Sequence, residues 1–119
     1  MVNSVKMVSS VDFVSYGERA IIWMYDTVKK CRVRVSTSPV VNIISDMNNT
    51  LIGFITKSGT IYKIKKRVKT GFVDVESARV GNNLFCIVDG KPVCTTEVLW
   101  SSVSSHWCEI ETKNSVYYQ

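Results

Sequence analysis

A chain of 119 residues with 45% hydrophobic and 21% charged side chains has ordinary globular composition and enough length for one modest core. Its net charge of +5 is unevenly spread: residues 1–71 hold 12 basic and 4 acidic side chains, and residues 72–119 hold 3 and 6. No run approaches the ~18 apolar residues of a membrane helix, and the first twenty residues lack the apolar stretch of a signal peptide, so the reading is a cytoplasmic protein with no membrane contact.

Taken in order, residues 2–16 alternate loosely (Val2, Val5, Met7, then Val11 and Phe13), which suggests an early strand ending at Tyr16-Gly17. Residues 18–30 fit two patterns. Ala20, Ile21, Met24, Tyr25 and Val28 share a helical face, yet IIWMY is rich in strand formers and DTVKK reads as a hairpin loop. The strict alternation of CRVRVS favours strand, with Cys31, Val33 and Val35 inward and Arg32 and Arg34 outward.

Residues 38–48 predict a short helix. Ser38 suits an N-cap and Pro39 the first helical position, where its missing N–H costs nothing. Val40, Ile43, Ile44 and Met47 recur at i, i+3, i+4 and i+7, and Asn48-Asn49 suits a stop. Strands over 50–57 and 60–69 follow, joined by a tight Ser58-Gly59 turn, and Gly53 inside the first marks a bulge or a close backbone approach. FVDVESARV and LFCIV read as further strands. Asp89-Gly90 is the strongest hairpin signal, and Pro92 confines the next strand to an edge or to its own first position. HWCEIETK reads as a last strand and residues 114–119 as a tail.

The most charged stretch is Lys57 to Lys69, with six basic side chains and no acidic one. Strand alternation puts Lys63, Lys65, Arg67 and Lys69 on one face, in a stripe of roughly 20 Å with a charge every ~7 Å, a spacing that suits a phosphate backbone. Phe54 and Tyr62 lie nearby in sequence, although parity turns Tyr62 away from the lysines. The plain alternative is an edge strand guarded by lysine.

Motifs for catalysis are sparse. The sequence has no GxGxxG and no GxxxxGK[ST], and its single histidine, His106, would have to serve any triad. Asp74 with Glu76, and Glu109 with Glu111, are same-face carboxylate pairs that also suit a solvated strand. Cys31, Cys86, Cys94 and Cys108 include no CxxC pair, so no metal is expected and the thiols read as reduced and mostly buried. A two-residue Asp89-Gly90 turn would pair Cys86 with Val93 and separate the Cys86 and Cys94 thiols. A three-residue loop would pair Cys86 with Cys94.

These readings combine into a single β-rich α+β domain over residues 1–119: a small antiparallel sheet or barrel of short strands with one short helix at about 38–48. The expected function is non-enzymatic binding of a phosphate-rich anion, nucleic acid or nucleotide, through Lys63, Lys65, Arg67 and Lys69 with Arg32 and Arg34 beside them, and with no cofactor. The alternative is a protein-binding inhibitor or adaptor that recognises an acidic surface, for which the Asn-, Ser- and Val-rich texture of a small phage-type protein is apt. The charge asymmetry also suits a homo-oligomer.

Overall fold

The computed structural model describes residues 4–119, so Val2 of the expected first strand lies outside the described residues. Among the described residues the regular structure is almost all β-strand, and the chain divides into two compact units, one running to Lys65 and the other from Lys66 to Gln119. No helix among the described residues is long and apolar enough to cross a membrane.

The first unit is a six-stranded sheet of β1 (Val5–Val8), β2 (Ser10–Phe13), β3 (Arg19–Asp26), β4 (Cys31–Ser45), β5 (Leu51–Thr56) and β6 (Ile61–Ile64). Its order is β1-β6-β5-β4-β3-β2. β1 and β2 stand at opposite ends of that order, yet only Ser9 separates them in sequence, so the sheet curls until its ends approach. Ser9 N–H donates to Trp23 O at 2.8 Å at one end, and Lys65 N–H to Val8 O at 2.9 Å at the other. The curl wraps a core of Val8, Ala20, Ile22, Val40, Phe54 and Tyr62. Phe54 and Tyr62 stack with ring centres 4.9 Å apart, so the two aromatics that sequence proximity placed near the lysines are core residues. Full burial of a side chain such as Phe54 contributes about 1.5–3 kcal/mol.

The helix expected at 38–48 is strand. β4 pairs with β3 over its first half and with β5 over its second, and register shifts fall next to Pro39 and between Val40 and Asn42. A bulge adds one residue and so sets two core-facing positions three apart, which is why Val40 and Ile43 imitate a helical stripe, while Ile44 faces the other side of the strand. The β-branched content of VVNII favours the pleated strand. Met47 is fully exposed, and Asn49 (φ 60°) belongs to a turn organised by Asp46, whose Oδ1 accepts from Asn48 N and Thr50 N. Gly53 fulfils the close-approach reading: a Cβ there would lie 2.8 Å from Tyr62 O.

The second unit has β7 (Lys66–Lys69), β8 (Phe72–Val73), a single 3-10 turn at Val75–Ala78, β9 (Asn83–Val88), β10 (Lys91–Glu97), β11 (Trp100–Val103), β12 (Cys108–Glu111) and β13 (Ser115–Tyr118). They form sheets of order β10-β9-β8 and β11-β12-β13-β7 around Val73, Ala78, Leu84, Cys86, Val98, Cys108 and Ile110. Residues 115–118 are therefore not a tail; β13 is an inner strand between β12 and β7. The strand expected beyond Val73 gives way to the 3-10 turn, which Asp74 caps by accepting from Glu76 N. Asp89 and Gly90 both have positive φ, and they set Val88 opposite Lys91 and Cys86 opposite Val93. Cys86 is accordingly buried and Cys94 exposed; Cys31, expected inward, is exposed at the end of β4, so two of the four thiols are buried, and all four cysteines are free.

Candidate anion-binding face

Ala20, Ile22 and Met24 of β3 and Val35 of β4 point into the first unit's core. Alternation then sends Trp23, Tyr25, Arg32 and Arg34 to the outer face. Antiparallel pairing makes them two successive aromatic–arginine rungs: Trp23 is opposite Arg34, and Tyr25 is opposite Arg32. On the far side of Trp23 lies Ser10 of β2, and the register shifts between Val11 and Phe13. Asp12, two residues on from Ser10, shares that outer face. One oxygen, Oδ2, accepts from Trp23 Nε1 at 3.1 Å and from Arg34 Nε at 3.2 Å. Trp23 is thus tethered at its polar edge. The Arg34 side chain remains 60% exposed, with one of its five N–H donors directed to Asp12.

The loop joining β3 to β4, residues 27–30, adds Lys29 and Lys30 at one end of this face. Asp26 organises it. Its Oδ1 accepts from Val28 N at 2.8 Å and Lys29 N at 2.9 Å, and its carbonyl accepts from Lys30 N, which reaches it through a φ of 55°. The Lys29 N–H bond is the main cause holding the Asp26 carboxyl below its usual range. The hairpin therefore carries Lys29, Lys30, Arg32 and Arg34 within six residues. Asp26 is engaged with the loop backbone and Asp12 with Arg34 and Trp23.

The stripe expected from the sequence is divided along the chain. Its strand stops at Ile64 and resumes at Lys66, and its members fall in different units, Lys63 and Lys65 in the first and Arg67 and Lys69 in the second. Lys65 is only 4% exposed, so its ammonium is withdrawn from the surface. Arg67 donates to Glu109 Oε1 at 3.1 Å, and its guanidinium carbon lies 4.7 Å from the centre of the Tyr118 ring. Lys63 and Lys69 are exposed, one on each unit. Arg32 is half-buried, with its Nη2 buried, and Arg34 is exposed; both pair with β3, and β5 lies between their strand and β6, so they do not sit beside Lys63 as expected.

The sequence reading passed over Trp23, Tyr25, Lys29 and Lys30 as site residues. The signal was there: once DTVKK is a loop, parity alone places Trp23 and Tyr25 beside Arg34 and Arg32. Charge follows the same division. Residues up to Lys65 hold nine basic and four acidic side chains, and those from Lys66 onward hold six of each, so the whole +5 belongs to the first unit.

Elsewhere, Cys86 and Cys108 are buried, and desolvation pushes both thiols above their ordinary pKa. No group of three or more His, Cys, Asp or Glu positioned to hold a metal exists among the described residues. Glu76 pairs with Arg79 at 3.3 Å, Glu109 with Arg67, and Glu111 is buried. Comparisons with protein-family models, with curated proteins and with solved structures gave no match.

Proposed function

We propose that this protein binds a phosphate-rich anion, nucleic acid or nucleotide, without a catalytic step, at the β3–β4 hairpin of its first unit. The observation that carries this reading is the cluster of Lys29, Lys30, Arg32 and Arg34 on the unit that holds the entire net charge. Like charges on adjacent positions repel one another, and a phosphate ligand relieves that repulsion. Arg34 adds geometry to charge, because a guanidinium fixed through Nε by Asp12 presents its remaining donors in a planar fork suited to a phosphate.

The test is anisotropy with a labelled oligonucleotide at several salt concentrations. Four phosphate contacts give a log–log slope of about −2.8 for a single strand. The double reversal Lys29→Glu with Lys30→Glu should weaken binding strongly, whereas Lys69→Glu on the second unit should not. Equal effects from the two variants would defeat the assignment to the hairpin.

One observation favours the rival reading, a protein-binding inhibitor or adaptor. In the β8–β10 sheet, Phe72 (50% exposed) is opposite Ile87, and Phe85 (41% exposed) is opposite Cys94, all on the face turned away from the second unit's core. Loss of partner capture on Phe72→Ser with Phe85→Ser, with oligonucleotide binding absent throughout, would favour that reading.

A further inference from the structure

We infer that the ligand is single-stranded nucleic acid, with unpaired bases stacked on Trp23 and Tyr25 while the phosphates meet the arginines opposite them. This inference rests on the anion-binding reading of the β3–β4 hairpin and adds the chemistry of the bases to it.

The argument begins from the two rungs. A basic patch alone serves any polyanion equally well. Here each arginine is matched across the ladder with an aromatic ring on the same outer face, Arg34 with Trp23 and Arg32 with Tyr25. Phe13, 44% exposed, extends the apolar part of that face from β2. A positively charged track lined with aromatic side chains is the general arrangement for holding a single strand, because every base offers a π-face whatever its identity.

Spacing selects the unpaired form. Trp23 and Tyr25 are two residues apart on one strand, about 7 Å along it. Bases stacked in a duplex repeat every ~3.4 Å and keep their faces against one another. Two rings at twice that spacing suit bases separated from their neighbours, one base for each ring. The tether from Trp23 Nε1 to Asp12 Oδ2 holds the indole in place before a ligand arrives, which lowers the ordering cost of binding. Asp12 also accepts from Arg34, so its carboxylate is matched by a guanidinium where the phosphates would pass.

The experiment compares three probes on the full chain: a labelled oligothymidine, a duplex of equal length, and inorganic polyphosphate. The expected result is that the oligothymidine binds at least about tenfold more tightly than the other two. Trp23→Leu should lose about tenfold or more of that affinity and Trp23→Tyr should keep most of it, since a base-stacking ring is worth that much and leucine supplies bulk without a π-face. In a Trp100→Phe, Trp107→Phe background, Trp23 is the sole tryptophan, and its fluorescence should be quenched by the oligothymidine and not by polyphosphate. Circular dichroism on each variant separates loss of binding from loss of fold.

If duplex and polyphosphate bind as tightly as the single strand, and Trp23→Leu changes nothing while Lys29→Glu with Lys30→Glu abolishes binding, the stacking inference is overturned and the anion-binding reading stands. If no probe binds at low salt, both are overturned.

Discussion

Arg67 Nη1 donates to Glu109 Oε1 at 3.1 Å, from β7 to β12 within one sheet. The same guanidinium lies over Tyr118 of β13, the strand between them. A side chain that looked in sequence like the third member of a ligand-binding stripe is instead engaged by its own sheet. The expected consequence is a separation of effects. Arg67→Ala should cost roughly 0.2–1 kcal/mol of stability, the range for partly exposed ion pairs, and should leave oligonucleotide affinity unchanged. Arg34→Ala should weaken oligonucleotide binding, and its loss of stability should be no larger than that of Arg67→Ala because its pair with Asp12 is the more exposed of the two. Urea melts and anisotropy on the two variants check both halves.

Gly53 should resist even the smallest substitution. A Cβ at that position meets Tyr62 O at 2.8 Å, and that oxygen belongs to the neighbouring strand's backbone, which has little room to yield. Gly53→Ala should destabilise the protein by about 1–3 kcal/mol, in the range of overpacking. A denaturation midpoint equal to the parent's would refute the close approach of β6 to Gly53.

Ile43 and Ile44 distinguish strand from helix over residues 38–48. Ile43 packs against the core cluster, whereas Ile44 is paired with Gly53 on the opposite face. Ile43→Ala should therefore cost about 2 kcal/mol or more, and Ile44→Ala clearly less. A helix carrying both on its apolar stripe would give similar losses. Equilibrium urea unfolding of the two variants decides between them.

The thiols should fall into two classes, and stability should decline in alkali. Cys31 and Cys94 are exposed, while Cys86 and Cys108 are buried. A thiol-disulfide indicator should titrate the first pair rapidly and the second only after denaturant is added. Desolvation raises the pKa of Cys86 and Cys108 above their ordinary 9.0, and that of Tyr62 above 10.0. The unfolded chain loses these protons first, so it binds fewer protons than the folded chain from about pH 9 upward, and stability falls as pH rises through that window. Thermal melts between pH 8 and pH 10.5 should show a falling Tm, and Cys86→Ala with Cys108→Ala should flatten the first part of the decline.

Local chemistry made several features legible in the sequence alone. Asp89-Gly90 needs positive φ at both positions, so its hairpin and the resulting Cys86–Val93 register follow from residue type. Ser58-Gly59 and the crowded Gly53 follow for similar reasons, as does the outward parity of Arg32 and Arg34 once CRVRVS is a strand. Each of these depends on a few adjacent residues and on nothing distant. Tertiary structure decided the rest. It made β4 bend and change partners at its bulges, a shift that a one-dimensional pattern shows as helical spacing. Pairing over long separations made 115–118 an inner strand rather than a tail. It also ended β6 at Ile64 and buried Lys65, dividing the basic stripe between two units. Last, it set Trp23 and Tyr25 opposite Arg34 and Arg32, because register across a hairpin, and not nearness along the chain, determines which side chains share a surface.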